Sequence, residues 1–182
     1  MSLRPITIVG GGISGLSLGI DLQLKGLAVH LFEAGDYPRH RVCGEFLSGQ
    51  GYCRLKEWGL AKSFLAAGAV EATHFKCYGP TGMSPVLRLP SPALCVSRYR
   101  MDDFMAEHFR ELGGHLITRH RVHPADFEQK EGTIWAHGRL AQTRQKCTWI
   151  GYKCHIKDYP LAADLEMHFG RNGYVGLCRV VD

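Results

Sequence analysis

The sequence predicts an α/β fold: a parallel sheet flanked by helices, interleaved with an antiparallel sheet that stops short at the C-terminus. Three features predict it. An apolar strand meets a helix through the junction Gly10-Gly11-Gly12-Ile13-Ser14-Gly15. Strands and helices alternate through much of the first 142 residues. Two further blocks, near residues 71–92 and 143–182, show short strands around Gly, Pro and Asn turns instead.

Taken in order, Ile6, Ile8 and Val9 make the first strand. Ile13, Leu16, Leu18, Ile20, Leu22 and Leu24 follow as a helix that stops near Lys25-Gly26, since glycine tolerates the dihedrals of a helix end. Ala28 to Phe32 form a second strand ending on Glu33, and residues 34–51 form a loop. A helical stretch from about Tyr52 to Ala67 breaks at Gly59. Strands around 71–78 and 85–89 are joined by Gly79-Pro80-Thr81-Gly82, with Pro90-Ser91-Pro92 closing the hairpin. After a short strand from Ala93 to Ser97, a helix runs from about Met101 to Leu112, with Asp102 and Asp103 in its first turn to suit the dipole.

His115 to Thr118 reads as a third parallel strand, and residues 122–137, including Thr133-Ile134-Trp135-Ala136, as an antiparallel excursion. The last strands are Trp149 to Ile156, Asp164 to Phe169 and Tyr174 to Val181, with Arg171-Asn172-Gly173 as the final hairpin turn. The expected domains are therefore residues 1–70 with 93–142, and residues 71–92 with 143–182. The second is expected to be partial, leaving an open sheet edge as a route to self-association.

The glycine junction carries the chemistry. Gly10-x-Gly12-x-x-Gly15 between a strand and a helix fits a dinucleotide site. Gly10 permits the sharp turn, Gly12 admits a pyrophosphate close to the backbone, and Gly15 lets helix and sheet pack closely. The first-turn N–H groups at Ile13, Ser14 and Gly15 and the positive end of the helix dipole face the phosphates. Glu33 lies eighteen residues past Gly15, at a strand end expected to be partly solvated, where its carboxylate can accept from ribose hydroxyls beside Ala34.

Composition sets the boundaries. With 45% hydrophobic and 21% charged residues, the 182-residue chain suits a globular core. The net charge of +5 is scattered, and Arg39-His40-Arg41 and Arg119-His120-Arg121 are too short for a nucleic-acid surface. No run is long enough for an integral membrane segment, and no signal-peptide pattern precedes the first strand. The seven cysteines include no CxxC pair, so neither zinc nor a disulfide framework is expected, and a reducing cytoplasm is the expected setting.

Three motifs resemble the FAD-dependent oxidoreductases that include geranylgeranyl reductases, aromatic hydroxylases and flavin halogenases. The first is the glycine junction with Glu33, which in that family holds the ADP half of FAD. Pro38-Arg39-His40-Arg41-Val42-Cys43-Gly44-Glu45 is similar to the R/K-x-C-G segment of the reductase branch, which implies Arg41, Cys43 and Gly44 beside the flavin. Val96-Ser97-Arg98-Tyr99-Arg100-Met101-Asp102 is similar to the family's R-x-x-(F/L)-D stretch, which implies that Arg98 reaches the cofactor. The family's later Gly-Asp motif has no counterpart in place, since the only Gly-Asp is Gly35-Asp36, and Asp-Gly is absent.

The resemblance thus implies the N-terminal portion of a Rossmann-like, FAD-binding oxidoreductase of reductase or monooxygenase type. It would act on a small organic or lipid-like molecule, with NAD(P)H as a candidate reductant. No catalytic acid or base is assigned, and no metal is expected. The alternatives are a non-catalytic nucleotide-binding fragment and an NAD-linked dehydrogenase.

Overall fold

A computed structural model describes residues 4–123, 125, 131–138 and 150–180. The elements begin with β1 (Ile6–Val9), α1 (Ile13–Leu24), β2 (Val29–Phe32), β3 (Phe46–Leu47), α2 (Gly49–Glu57) and α3 (Ala61–Ala66). There follow β4 (Val70–Gly79), β5 (Gly82–Met83), β6 (Leu87–Cys95) and α4 (Arg98–Glu111). Last come β7 (His115–Ile117), β8 (Thr133–Trp135), β9 (Leu165–Gly170) and β10 (Gly173–Cys178). The chain divides into two compact units, Met1–Arg39 with Tyr99–Thr148, and His40–Arg98 with Trp149–Asp182.

The first unit holds a four-stranded sheet in the order β7-β2-β1-β8. β1 pairs in parallel with β2, Ile8 opposite Leu31, and β2 in parallel with β7, Leu31 opposite Leu116. Ile8, Leu16, Ile20, Leu31 and Phe109 are each fully buried. Gly19 explains how closely α1 and α4 approach: a Cβ there would come within 2.8 Å of the Phe109 ring. A glycine one helical turn after Gly15 thus gives the aromatic ring its place in the core.

β8 corrects the expected antiparallel excursion. It joins β1 in parallel, Ile8 opposite Ile134, and the Ala136 N–H donates to the Val9 carbonyl at 2.7 Å. Alternating hydrophobicity marks a strand but not its direction, which here follows from satisfying the outer edge of β1. α4 also starts earlier than expected, at Arg98 rather than about Met101. Asp102 is therefore beyond the first turn and fully buried, and does not complement the helix terminus.

The second unit holds a sheet in the order β10-β9-β4-β6-β3, with β5 against β4. It is mostly antiparallel, though β4 and β9 pair in parallel. Pro90-Ser91-Pro92, expected to close a hairpin, instead lies inside β6. The ladder with β4 is interrupted there: Ala72 pairs with Ala93, but His74 pairs with Arg88. Prolines without N–H donors thus sit in a bulge where the ladder asks for none. The amides left over on β4 are answered by Asp164, whose Oδ2 accepts from Thr73 N–H at 2.8 Å and His74 N–H at 2.9 Å.

Other expectations shift locally. The loop expected over 34–51 contains β3, and α2 begins at Gly49. The strand expected from Trp149 does not form: residues 150–156 are irregular, and Trp149 lies outside the described residues. The β9–β10 hairpin forms as expected around Arg171 and Asn172, with Gly170 opposite Gly173. Among the described residues no helix is long and apolar enough to cross a membrane.

Phe109→Ala empties a buried ring volume between α4 and α1. It should cost about 3–5 kcal/mol, seen as a lower urea midpoint for the near-ultraviolet signal.

Candidate functional site

The three fingerprint glycines answer to different forces. Gly10 has φ +111°, and a Cβ on it would lie 2.4 Å from the Ala136 carbonyl oxygen. A Cβ on Gly15 would lie 1.8 Å from the Gly10 carbonyl oxygen. Both are required by the turn itself. Gly12 has φ −81° and ψ −174°, extended backbone open to any residue, and a Cβ there would meet nothing within 4 Å. The fold places no demand for glycine at that position, which leaves the space above it for a ligand.

α1 begins immediately after Gly12, with Gly12 as an N-cap that offers no side-chain acceptor and with no acid in the first turn. Ile13 is half-buried, Ser14 exposed and Gly15 buried. The positive end of the helix dipole therefore meets no protein carboxylate from its own first turn, an arrangement suited to an anion.

Glu33 departs from the expected partly solvated strand end. It is 5% exposed, and three donors converge on its carboxylate. Oε2 accepts from Gly11 N–H at 2.7 Å; Oε1 accepts from Gly35 N–H at 2.7 Å and from Arg39 Nη1 at 2.5 Å. Burial alone works against the charge, but the Arg39 hydrogen bond, the Gly35 amide, the Arg39 charge and the Gly11 amide outweigh it. Together they hold the carboxyl down at about 2. The Gly11 carbonyl is pinned in turn by the Tyr37 hydroxyl and, more weakly, by Arg39 Nη2 at 3.4 Å. The Tyr37 phenol is pushed above its ordinary range by burial and by the Glu33 charge.

The loop after β2 holds these partners in place. The Arg119 N–H donates to the Gly35 carbonyl, and the Arg119 guanidinium pairs with Asp36 at 2.6 Å. Ala34 is exposed beside Glu33. Gly10, Gly12, Ile13, Ser14, Gly15, Glu33 and Ala34 all fall in the first unit. Sequence reasoning missed Tyr37 and Arg39. Their signal was a phenol and a guanidinium four and six positions past an acid that the strand end buries.

Arg41, Cys43, Gly44 and Arg98 fall in the second unit. Arg41 is exposed, Cys43 half-buried and Gly44 exposed, and a Cβ on Gly44 would also meet nothing within 4 Å. Glu45 joins two of the expected motifs. Its side chain is 4% exposed, at φ +53°, and its carboxylate accepts from the Arg98 backbone N–H at 2.8 Å. Lys153 Nζ bonds to Oε1, and His155 Nε2 lies 2.7 Å from Oε2. The His40 ring meets His155 edge-on, with centroids 6.0 Å apart. None of Glu45, Lys153 and His155 is a site residue expected from the sequence; a buried acid whose partners lie 108 and 110 positions away leaves no local pattern.

A family model described as an NAD(P)-binding Rossmann-like domain matches residues 8–50. A curated relative, conditioned medium factor receptor 1 of Dictyostelium discoideum, is 26% identical over 149 residues, covering 74% of this chain and 28% of its own. Among solved structures, the flavin-dependent brominase Bmp2 aligns with TM-score 0.56 at 28% identity over 60% of this chain and 28% of its own. The myxobacterial chondrochloren halogenase CndH aligns with TM-score 0.59 at 23% identity, over 65% and 29%. PqsL of Pseudomonas aeruginosa, described as a probable FAD-dependent monooxygenase, aligns with TM-score 0.57 at 16% identity, over 65% and 34%. The chain thus spans about a third or less of the proteins it matches, and in motif and fold it resembles the FAD-dependent monooxygenases and halogenases.

Glu33→Gln should separate charge from shape at the glycine loop. Because the folded carboxyl sits below its ordinary 4.5, its contribution is complete above that value and is lost as pH falls toward about 2. At neutral pH the variant should be less stable by about 2–3 kcal/mol, since Arg39 loses its buried partner. The difference should shrink as acid is added, measured by urea unfolding across that window.

Proposed function

We propose that this chain carries the ADP-binding half of an FAD site in a flavin-dependent oxidoreductase of monooxygenase type, acting on a small organic or lipid-like substrate. The open space above Gly12 carries the reading. It lies where the fingerprint puts a pyrophosphate, at the start of α1, and nothing in the fold needs a glycine there. The first-turn amides of Ile13, Ser14 and Gly15 would meet the phosphate oxygens.

Glu33 would take the adenosine ribose. A carboxylate offers about four lone-pair positions, and three donors already use Glu33. One position remains for a ribose hydroxyl without disturbing Arg39, while Gly11 stays fixed. Cys43, Gly44 and Arg98 are assigned to the flavin side by their likeness to the family motifs, and the bare backbone at Gly44 fits a flat ring lying close. When bound, the flavin supplies the hydride and oxygen chemistry, with NAD(P)H as the proposed reductant. The chain's own residues bind and orient it.

An NAD-linked dehydrogenase is the second reading, favoured by the description of the family model over residues 8–50. That segment is the half of the fold in which a dinucleotide's ADP portion binds whichever cofactor it belongs to. The second, β-rich unit is what a simple NAD domain would not need.

Calorimetric titration with FAD, ADP and NAD decides between them. FAD and ADP should bind and NAD should bind more weakly; preference for NAD would overturn the flavin reading. Gly12→Val should abolish nucleotide binding while leaving the circular-dichroism melt unchanged, because valine adopts that backbone without strain. Retained binding in that variant would mean the space is not a phosphate site.

A further inference from the structure

Residues 150–156 have no regular secondary structure, yet they stay beside the segment that leads into β3. Both stretches belong to the second unit. A Cβ on Gly151 would come 3.3 Å from Val42 Cγ1. Lys153 and His155 both reach the Glu45 carboxylate, and the His155 ring meets His40 edge-on. The alternate residues face solvent: Tyr152 is 90% exposed, and Cys154 is exposed too. Side chains at 153 and 155, rather than a strand ladder, thus hold the two stretches together.

Glu45 is tied down at both of its polar ends. Its carbonyl accepts from the Val96 N–H at 3.0 Å, which fixes its backbone just past the end of β6. Its carboxylate accepts from the Arg98 N–H at 2.8 Å and meets Lys153 and His155 from the other stretch. That side chain is 4% exposed, and an acid so buried is costly without a cation beside it. Lys153, its own side chain 13% exposed, supplies the ammonium. The peptide between Gly44 and Glu45 is then set from two directions. The Cys178 thiol donates to its carbonyl at 3.3 Å, and the φ of +53° at Glu45 turns the chain on its other side.

We propose that residues 151–155 form a clasp that positions residues 41–45 for the flavin end of FAD, with Lys153 as its principal positioning residue. The inference rests on the proposed placing of Cys43 and Gly44 on the flavin side. Lys153 acts through Glu45, whose conformation aims the Gly44 backbone. ADP carries no flavin ring to meet that segment. The clasp therefore sets how much more tightly FAD binds than ADP, and leaves ADP binding itself alone.

Calorimetry with FAD and ADP compares the native chain with Lys153→Met/His155→Phe and with Lys153→Arg. A segment found in its binding form a tenth of the time binds about tenfold more weakly. The double variant should lose affinity for FAD on that scale while keeping its affinity for ADP. Lys153→Arg, which retains the charge, should keep the native ratio. Without ligand, alkylation of the half-buried Cys43 should quicken in the double variant, while the buried Cys95 stays protected and shows that the fold persists. In the native chain FAD, but not ADP, should slow hydrogen exchange in residues 41–45 and 151–155 together, a comparison that needs no substitution. An unchanged ratio of FAD to ADP affinity in the double variant, Cys43 reacting no faster, or protection of residues 41–45 alone overturns the proposal and leaves the flavin reading standing. A native chain that binds FAD no more tightly than ADP overturns the flavin-side reading, and the clasp with it.

Discussion

The buried charge of Glu33 is the constraint on which the glycine loop depends. A turn with open backbone on one side gains nothing from its own side chains, because three of its residues have none. Its geometry must be imposed from outside. Glu33 imposes it by accepting the Gly11 N–H, while Tyr37 and Arg39 hold the Gly11 carbonyl. The peptide groups on both sides of Gly11 are thus fixed, and its neighbour Gly12 keeps an ordinary conformation with empty space beside it. A loop preorganised in this way would lose little conformational freedom on binding the proposed pyrophosphate.

The second unit repeats the device with a different carboxylate. Glu45 sits at φ +53°, a region that costs a non-glycine residue about 1–3 kcal/mol and persists only where the surroundings over-determine it. The surroundings do so here: a backbone N–H from Arg98, an ammonium from Lys153 and an imidazole from His155 all reach one carboxyl group. Removing any donor leaves the others in place, so the strained residue remains held. The exposed Gly44 next to it owes its position to this clamp rather than to packing of its own.

The parts legible in the sequence were those governed by local rules. The alternation at Ile6, Ile8 and Val9, the helix stop at Gly26 and the Asn172-Gly173 hairpin each depend on a few neighbouring residues, and each formed. Direction and long-range pairing were not local. Nothing in Thr133-Ile134-Trp135 says that β1 lies beside it in parallel. Pro90 and Pro92 read as strand breakers because the bulge that accommodates them is created by β4, some twenty residues earlier. At the candidate site the same division holds. The fingerprint and the acid at the end of β2 were visible by spacing, whereas the burial of that acid depends on Arg39 folding back and on Arg119 anchoring the loop.

The glycines show how the two kinds of legibility meet. Spacing marks Gly10, Gly12 and Gly15 alike, yet the fold around them divides them into two required by the turn and one that the turn does not require. A glycine that the turn does not require leaves room beside its backbone, which is the room the proposed cofactor would use. Gly44 has the same signature on the second unit, with no positive φ and nothing near its missing Cβ. Glu45 fixes that glycine from one side and Cys178 binds its carbonyl from the other. Steric openness beside these glycines and strict control of the backbone beneath them are therefore separate properties, supplied by different residues. The buried carboxylates provide the second so that the glycines can provide the first.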